Sequence, residues 1–153
     1  MENPTTVDGM KHQILTTVLA VRSVERAIDF YARIFGAKEM FRSPGPGGEI
    51  VFAQICIGNT NLFLSGEGQP GHDVYQSPEA LKGSTCAIYA YFDDAEAVFA
   101  QAVAAGAVGL SPVAQQHWGD REGFVRDPFG HFWAIATCAA VLKELIDSLN
   151  IRC

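Results

Sequence analysis

Along this chain the spacing of apolar residues changes period several times, and each change marks an element. Ile14 to Val21, ILTTVLAV, is a β-branched-rich run that reads as a strand. Ser23 then offers an N-cap, and Val24, Ala27, Ile28, Tyr31, Ile34 and Phe35 recur at the three-and-four spacing of an amphipathic helix. Gly36 stands where a helix end wants a residue tolerant of positive φ. Lys38 to Ser43 fits a short strand, and Pro44-Gly45-Pro46-Gly47-Gly48 a loop. Glu49 to Ile57 and Asn61 to Ser65 are two further apolar strands, separated by the turn residues Gly58-Asn59-Thr60.

The stretch GEGQPGHDVYQSPEALKG, 66 to 83, is rich in Gly, Pro and polar residues and reads as a linker. After it the order restarts. Ser84 to Phe92 is a strand, Asp94 caps a helix running to Ala105, and Gly106 ends it as Gly36 ended the first. A strand follows near Val108 to Gln116, and then WGDREGFVRDPFGHFWAIAT, Trp118 to Thr137, reads as two strands around the turn Asp127-Pro128-Phe129-Gly130. Both halves are therefore β-α-β-β-β, at a repeat of about 70 residues, which is too long for a solenoid and fits a pair of modules. Val141 to Leu149 predicts a terminal helix. The expected organisation is a lead-in over 1–12, a first module over 13–65, a linker over 66–83, a second module over 84–138, and a helix and tail over 139–153.

Composition narrows the function. Of 153 residues, 48% are apolar and 18% charged, which predicts a packed globular chain. The net charge of -6 leaves no basic stripe for phosphates, so nucleic acid is not an expected partner. No apolar run reaches the ~18 residues of a membrane span, and MENPTTVDGM lacks the layout of a signal peptide; a cytoplasmic protein without membrane contact is expected. Cys56, Cys86, Cys138 and Cys153 form no C-x-x-C pair, which predicts reduced thiols.

Two β-α-β-β-β modules that end in strand, DPFG, strand resemble the vicinal oxygen chelate superfamily, the group of glyoxalase I, bleomycin-resistance proteins and extradiol dioxygenases. The resemblance spans roughly residues 13 to 138. It is carried by VRSVERAIDFYARIFGA, by the helix end AVAAGA, and by WGDREGFVRDPFGHFWAIAT, the last two of which look like the PhnB-like branch. It implies an α+β fold in which the two βαβββ modules form a curled mixed sheet with a central cleft, within a homodimer.

In metal-dependent members of that superfamily the first and last strands of each module supply His, Glu or Gln ligands to the cleft. The corresponding positions here are Thr16, Phe63, Ala87 and Ala134. A catalytic zinc site takes about three side-chain ligands, and Phe and Ala offer no lone pair, so no metal and no other cofactor is expected. His12, His72, His117 and His131 are scattered. His117, Asp120 and His131 flank one hairpin without any known ligand spacing.

Strand alternation extends the cleft set. With those four positions facing inward, Ile14, Val18, Tyr89, Tyr91, Phe132 and Ala136 do too, and Leu15, Leu19, Leu62, Leu64, Ile88 and Ile135 face the helices. A two-residue turn at Gly58-Asn59 would set Gln54 opposite Phe63, in the cleft. The expected pocket is aromatic, with space at Ala87 and Ala134, polar handles at Thr16, Gln54 and the tyrosine hydroxyls, and Trp118 and Arg121 at its mouth. It suits a planar apolar or aromatic ligand held by a metal-free binding protein of the resistance-protein kind. The alternative is a lyase, isomerase or cyclase of the same superfamily, cofactor-free or with displaced metal ligands, using His117, Asp120, Arg121 or a tyrosine for proton transfer.

Overall fold

A computed structural model describes residues 15–68 and 76–139. The expected terminal helix, along with Ile14, His12, His72 and Cys153, lies outside those residues. The first module contains strand β1 (Thr17–Val21), helix α1 (Val24–Phe35), and strands β2 (Lys38–Pro44), β3 (Ile50–Ile57) and β4 (Thr60–Gly66). A single helical turn, α2 (Pro78–Leu81), interrupts the stretch expected as a linker. The second module contains β5 (Ala87–Tyr91), α3 (Ala95–Ala104), β6 (Val108–Gln115), β7 (Arg121–Arg126) and β8 (Phe132–Thr137).

Local chemistry sets these boundaries. The Ser23 hydroxyl caps α1 by accepting from the Arg26 N–H, and Asp94 caps α3 through the Ala97 N–H. Gly36 closes α1 in the left-handed region at φ 66°. Ser77 caps α2 ahead of Pro78 at its first position, a start signal present in the sequence although a single turn carries no helical periodicity.

Each module folds into a mixed four-stranded sheet, ordered β1-β4-β3-β2 in the first and β5-β8-β7-β6 in the second, with the first and last strands of each module parallel. The Gly58-Asn59 turn pairs Ile57 with Thr60 and thereby Gln54 with Phe63, the register expected from a two-residue turn. The first strand starts later than expected. Leu15, assigned above to the helix side, precedes β1 and is 83% exposed, because nothing there pairs it into the sheet.

The helix-bearing faces of both sheets share one core. Leu19, Ile55, Leu64, Val125, Trp133 and Ile135 are buried in it. Helix α1 packs on β3 and β4 with one side and on the second module with the other: Phe35 meets Trp133 in a tilted contact at 4.4 Å and stacks with Phe92 at 5.6 Å, and Tyr31 meets Trp133 at 5.4 Å. The opposite faces of the two sheets are consequently left outside this core, and the expected cleft residues lie there.

Candidate functional site

Alternation along β5 puts Ile88 and Ala90 toward the core and Tyr89 and Tyr91 on the outer, cleft-side face. The tyrosine rings lie 5.1 Å apart and are 44% and 54% exposed. Across the sheet Tyr89 pairs with Ala134 and then Phe124, while Tyr91 pairs with Ala136 and then Glu122. Pairing preserves the face, so Glu122 and Phe124 stand on the cleft side with the tyrosines. Asp120, two residues before Glu122, joins them: its Oδ2 accepts from the Tyr91 hydroxyl at 3.0 Å and the Tyr89 hydroxyl at 3.3 Å, and its Oδ1 from the Ala139 N–H at 2.9 Å.

This cluster is electrostatically uneven. Burial alone would raise the Asp120 carboxyl, but the Ala139 N–H, the two tyrosine hydroxyls and the Trp118 indole outweigh it and hold the group below the ordinary carboxylate range. The tyrosines move the other way. Burial of their hydroxyl ends comes first, then the hydrogen bond and charge of Glu122 at Tyr89 and of Asp120 at Tyr91, and both phenols are pushed up and stay protonated donors. Each tyrosine is about half exposed, so this burial is partial and the neighbouring carboxylates act beside it. Glu122 is 5% exposed, and its Oε2 has no hydrogen-bond partner among the described residues.

The expected site residues fall into two groups. Val18, Gln54 and Phe63 lie on the cleft-side face of the first sheet with Phe52, whose ring meets Phe63 at 5.2 Å, and Thr16 stands one residue ahead of β1. Tyr89, Tyr91, Ala87, Phe132 and Ala134 lie on that of the second, with Trp118 in the loop before β7, its ring 52% exposed and 4.7 Å from His117. Among the described residues, no ring contact joins one group to the other. Ala87 and Ala134 occupy neighbouring strands of one sheet, opposite Phe132 and Tyr89 respectively, and Ala134 is 1% exposed. Arg121 is turned to the other side, where its guanidinium pairs with Glu96 at the start of α3.

A groove of about 840 Å³ follows the seam between the modules, bounded by Phe35, Trp133, the β3–β4 turn and the β5 tyrosines. Its lining does not include Asp120, Glu122, Phe63 or Phe132. Chemistry therefore resides on the cleft-side face of the second sheet, which the groove reaches only through Tyr89 and Tyr91.

Glu122 was absent from the expected set, although the sequence carries the signal. Counting back from the DPFG turn pairs Arg126 with Phe132 and hence Glu122 with Ala136, a residue already placed in the cleft. That pairing adds a strand-borne carboxyl to the proton-transfer candidates His117, Asp120, Arg121 and the tyrosines.

The remaining candidates are accounted for structurally. His131 is buried and its Nε2 lies 2.9 Å from the Ala20 carbonyl oxygen, tying the DPFG turn to β1. Asp127 accepts four hydrogen bonds: the Phe129 and His131 N–H groups on Oδ1, and the Tyr31 hydroxyl and Trp133 indole on Oδ2. His117, Asp120 and His131 are not gathered into a ligand set, and no group of three or more His, Cys, Asp or Glu suited to a metal occurs among the described residues. The four positions that hold metal in the resembled superfamily do not fit one here, since Phe63, Ala87 and Ala134 supply no donor atom.

Comparison with known proteins bears on the same residues. The model of the glyoxalase/bleomycin resistance protein/dioxygenase superfamily matches residues 13–135. An uncharacterized protein of Mycobacterium bovis is 36% identical over 122 residues, covering 79% of this chain and 80% of its own length. Among solved structures, TioX from Micromonospora sp. ML1 is 28% identical with a TM-score of 0.64, over 82% of this chain and 98% of that one. A gene product of Arabidopsis thaliana is 27% identical at 0.64, over 80% and 97%. The PhnB protein of Bacillus cereus, 20% identical at 0.63 over 82% and 100%, shares the fold.

Proposed function

The chain belongs to the glyoxalase/bleomycin resistance protein/dioxygenase superfamily, and from that premise we propose that it is a metal-free small-molecule binding protein that holds a planar apolar or aromatic ligand. The observation that carries this reading is the Tyr89–Tyr91 pair, two adjacent rings left half exposed on one face of an otherwise packed sheet. Rings so placed offer rigid contact area at little entropic cost. Phe132 extends the same face, and Trp118 stands at its edge.

The ligand is enclosed by a homodimer. The first sheet presents a second aromatic face, Phe63 with Phe52 and the polar handle Gln54, with no ring contact to the tyrosines among the described residues. Exposed Phe41 on β2 and Val108 and Leu110 on β6 extend the two faces apolarly. An isologous pair of chains lets one chain's first sheet cover the other's second, giving two equivalent clefts. Free thiols at Cys56 and Cys86 suit a reducing, cytoplasmic setting.

Burying ~300 Å² of apolar ligand is worth about 7 kcal/mol, and contacts with two rings add about 2. After at least about 4 for association, a sub-millimolar dissociation constant is expected for a ring system without polar anchors. Calorimetric titration with acridine tests this: saturable binding that Tyr91→Ala weakens supports the reading, and no heat at millimolar ligand overturns it. The enzyme alternative has one observation in its favour, the buried carboxylate of Glu122 beside Tyr89. Recovery of bound ligand unchanged after prolonged incubation separates the two.

A further inference from the structure

The cleft-side cluster has its hydrogen-bond donors committed and one acceptor spare. The Tyr91 hydroxyl and the Ala139 N–H donate to Asp120, the Tyr89 hydroxyl is shared between Asp120 and Glu122, and the Trp118 indole is engaged with the cluster. Glu122 Oε2 is the remaining polar atom, buried and without a partner among the described residues. Buried polar atoms in folded proteins are almost always satisfied, so an orphan beside exposed rings marks a place where something else binds.

Charge points the same way. No ion pair to Asp120 or Glu122 occurs among the described residues, since Arg121 is spent on Glu96 on the opposite face. Arg126 shares the cleft face but stands four residues along β7 from Glu122, about 13 Å at ~3.4 Å per residue, too far to neutralise it. An anionic ligand would meet two carboxylates and find no free donor. A cation finds an acceptor and the π-faces of Tyr89 and Tyr91, which attract positive charge.

We infer that Glu122 is the polar anchor of the cleft: its free oxygen accepts a hydrogen bond from a cationic, N–H-bearing planar heteroaromatic molecule lying on Tyr89 and Tyr91. This rests on the planar-ligand reading above and adds the ligand's charge and hydrogen-bond polarity to it.

The test compares three nearly isosteric rings by calorimetry at neutral pH: 9-aminoacridine as the cation, acridine as the neutral ring, and acridine-9-carboxylate as the anion. Wild type is expected to rank them cation, neutral, anion, with the cation roughly tenfold tighter than acridine, the size of one charge-assisted hydrogen bond. In Glu122→Gln the cation's advantage disappears while acridine affinity is kept. If acridine binds but the cation has no advantage in wild type, or keeps it in Glu122→Gln, the anchor is refuted and the planar-ligand reading stands. If none of the rings binds, both fall. Should Glu122→Gln fail to fold by circular dichroism, the wild-type ranking decides alone, and an anion bound as tightly as the cation overturns the inference.

Discussion

Asp127 holds more of the molecule together than any other polar residue described. Its four hydrogen bonds join the DPFG turn to itself and to α1, and their donors, Phe129 N–H, His131 N–H, Tyr31 hydroxyl and Trp133 indole, are all on buried residues. Burial, and then the Asp127 charge, push the Tyr31 hydroxyl well above its ordinary range, so it remains a donor throughout the stable pH range. Asp127→Ala strands all four donors and is expected to cost at least about 3 kcal/mol in urea denaturation. A loss below about 1 would mean that the donors find other partners. Asp120 is the second such residue, with a pH signature. Its folded-state carboxyl lies below the ordinary 3.8, so the stability it contributes is fully present above that value and is lost as pH falls through the lower folded value. The difference in melting temperature between wild type and Asp120→Asn should shrink on acidification from about pH 5 to pH 2. A difference constant across that range would remove the carboxylate from the explanation.

At the scale of elements, the DPFG turn acts as a dock for α2. Gly130 has φ +90°, and a Cβ there would lie 2.9 Å from the Glu79 nitrogen and 3.0 Å from Pro78 Cβ, so the helical turn seats directly on the glycine. Gly48 has nearly the same φ, +88°, and nothing within 4 Å of its would-be Cβ. The pair separates backbone strain from contact. Gly48→Ala should cost about 1 kcal/mol from φ alone, and Gly130→Ala about 2 or more because α2 must also move. Equal costs in chemical denaturation would show that α2 is not held by the turn. The stretch that looks most like a functional motif, WGDREGFVRDPFGHFW, is thus divided. Its DPFGHFW half joins the modules through Asp127, His131 and Trp133, and its WGDRE half carries the cleft chemistry through Trp118, Asp120 and Glu122.

For the whole molecule, the shared helical core decides what a single chain can do. With α1 packed against the second module, no ring contact joins Phe63 to Tyr89 or Tyr91 among the described residues, and in the proposed homodimer a ligand would be gripped by both faces through two chains. Ligand binding and dimerisation are then linked, since a ligand that binds only the dimer shifts the equilibrium toward it. Sedimentation at micromolar concentration should give a dimer, and acridine should lower the concentration at which it dissociates. A monomer with undiminished ligand affinity would refute the shared cleft.

The order of elements, the two-module repeat, the helix ends at Gly36 and Gly106 and the Gln54–Phe63 register were legible from the chain alone, because they depend on local spacing and turn chemistry. So was the lack of donor atoms at Phe63, Ala87 and Ala134, which is a matter of residue identity. What alternation could not supply was which faces meet. Whether Arg121 reaches the cleft or Glu96, whether His131 is a ligand candidate or a strut against Ala20, and whether the acceptor of Glu122 is left unsatisfied all turn on contacts between residues distant in sequence. Those contacts were decided when α1 packed between the two sheets, a tertiary choice made by the fit of Tyr31 and Phe35 against Trp133 and recorded in no local pattern.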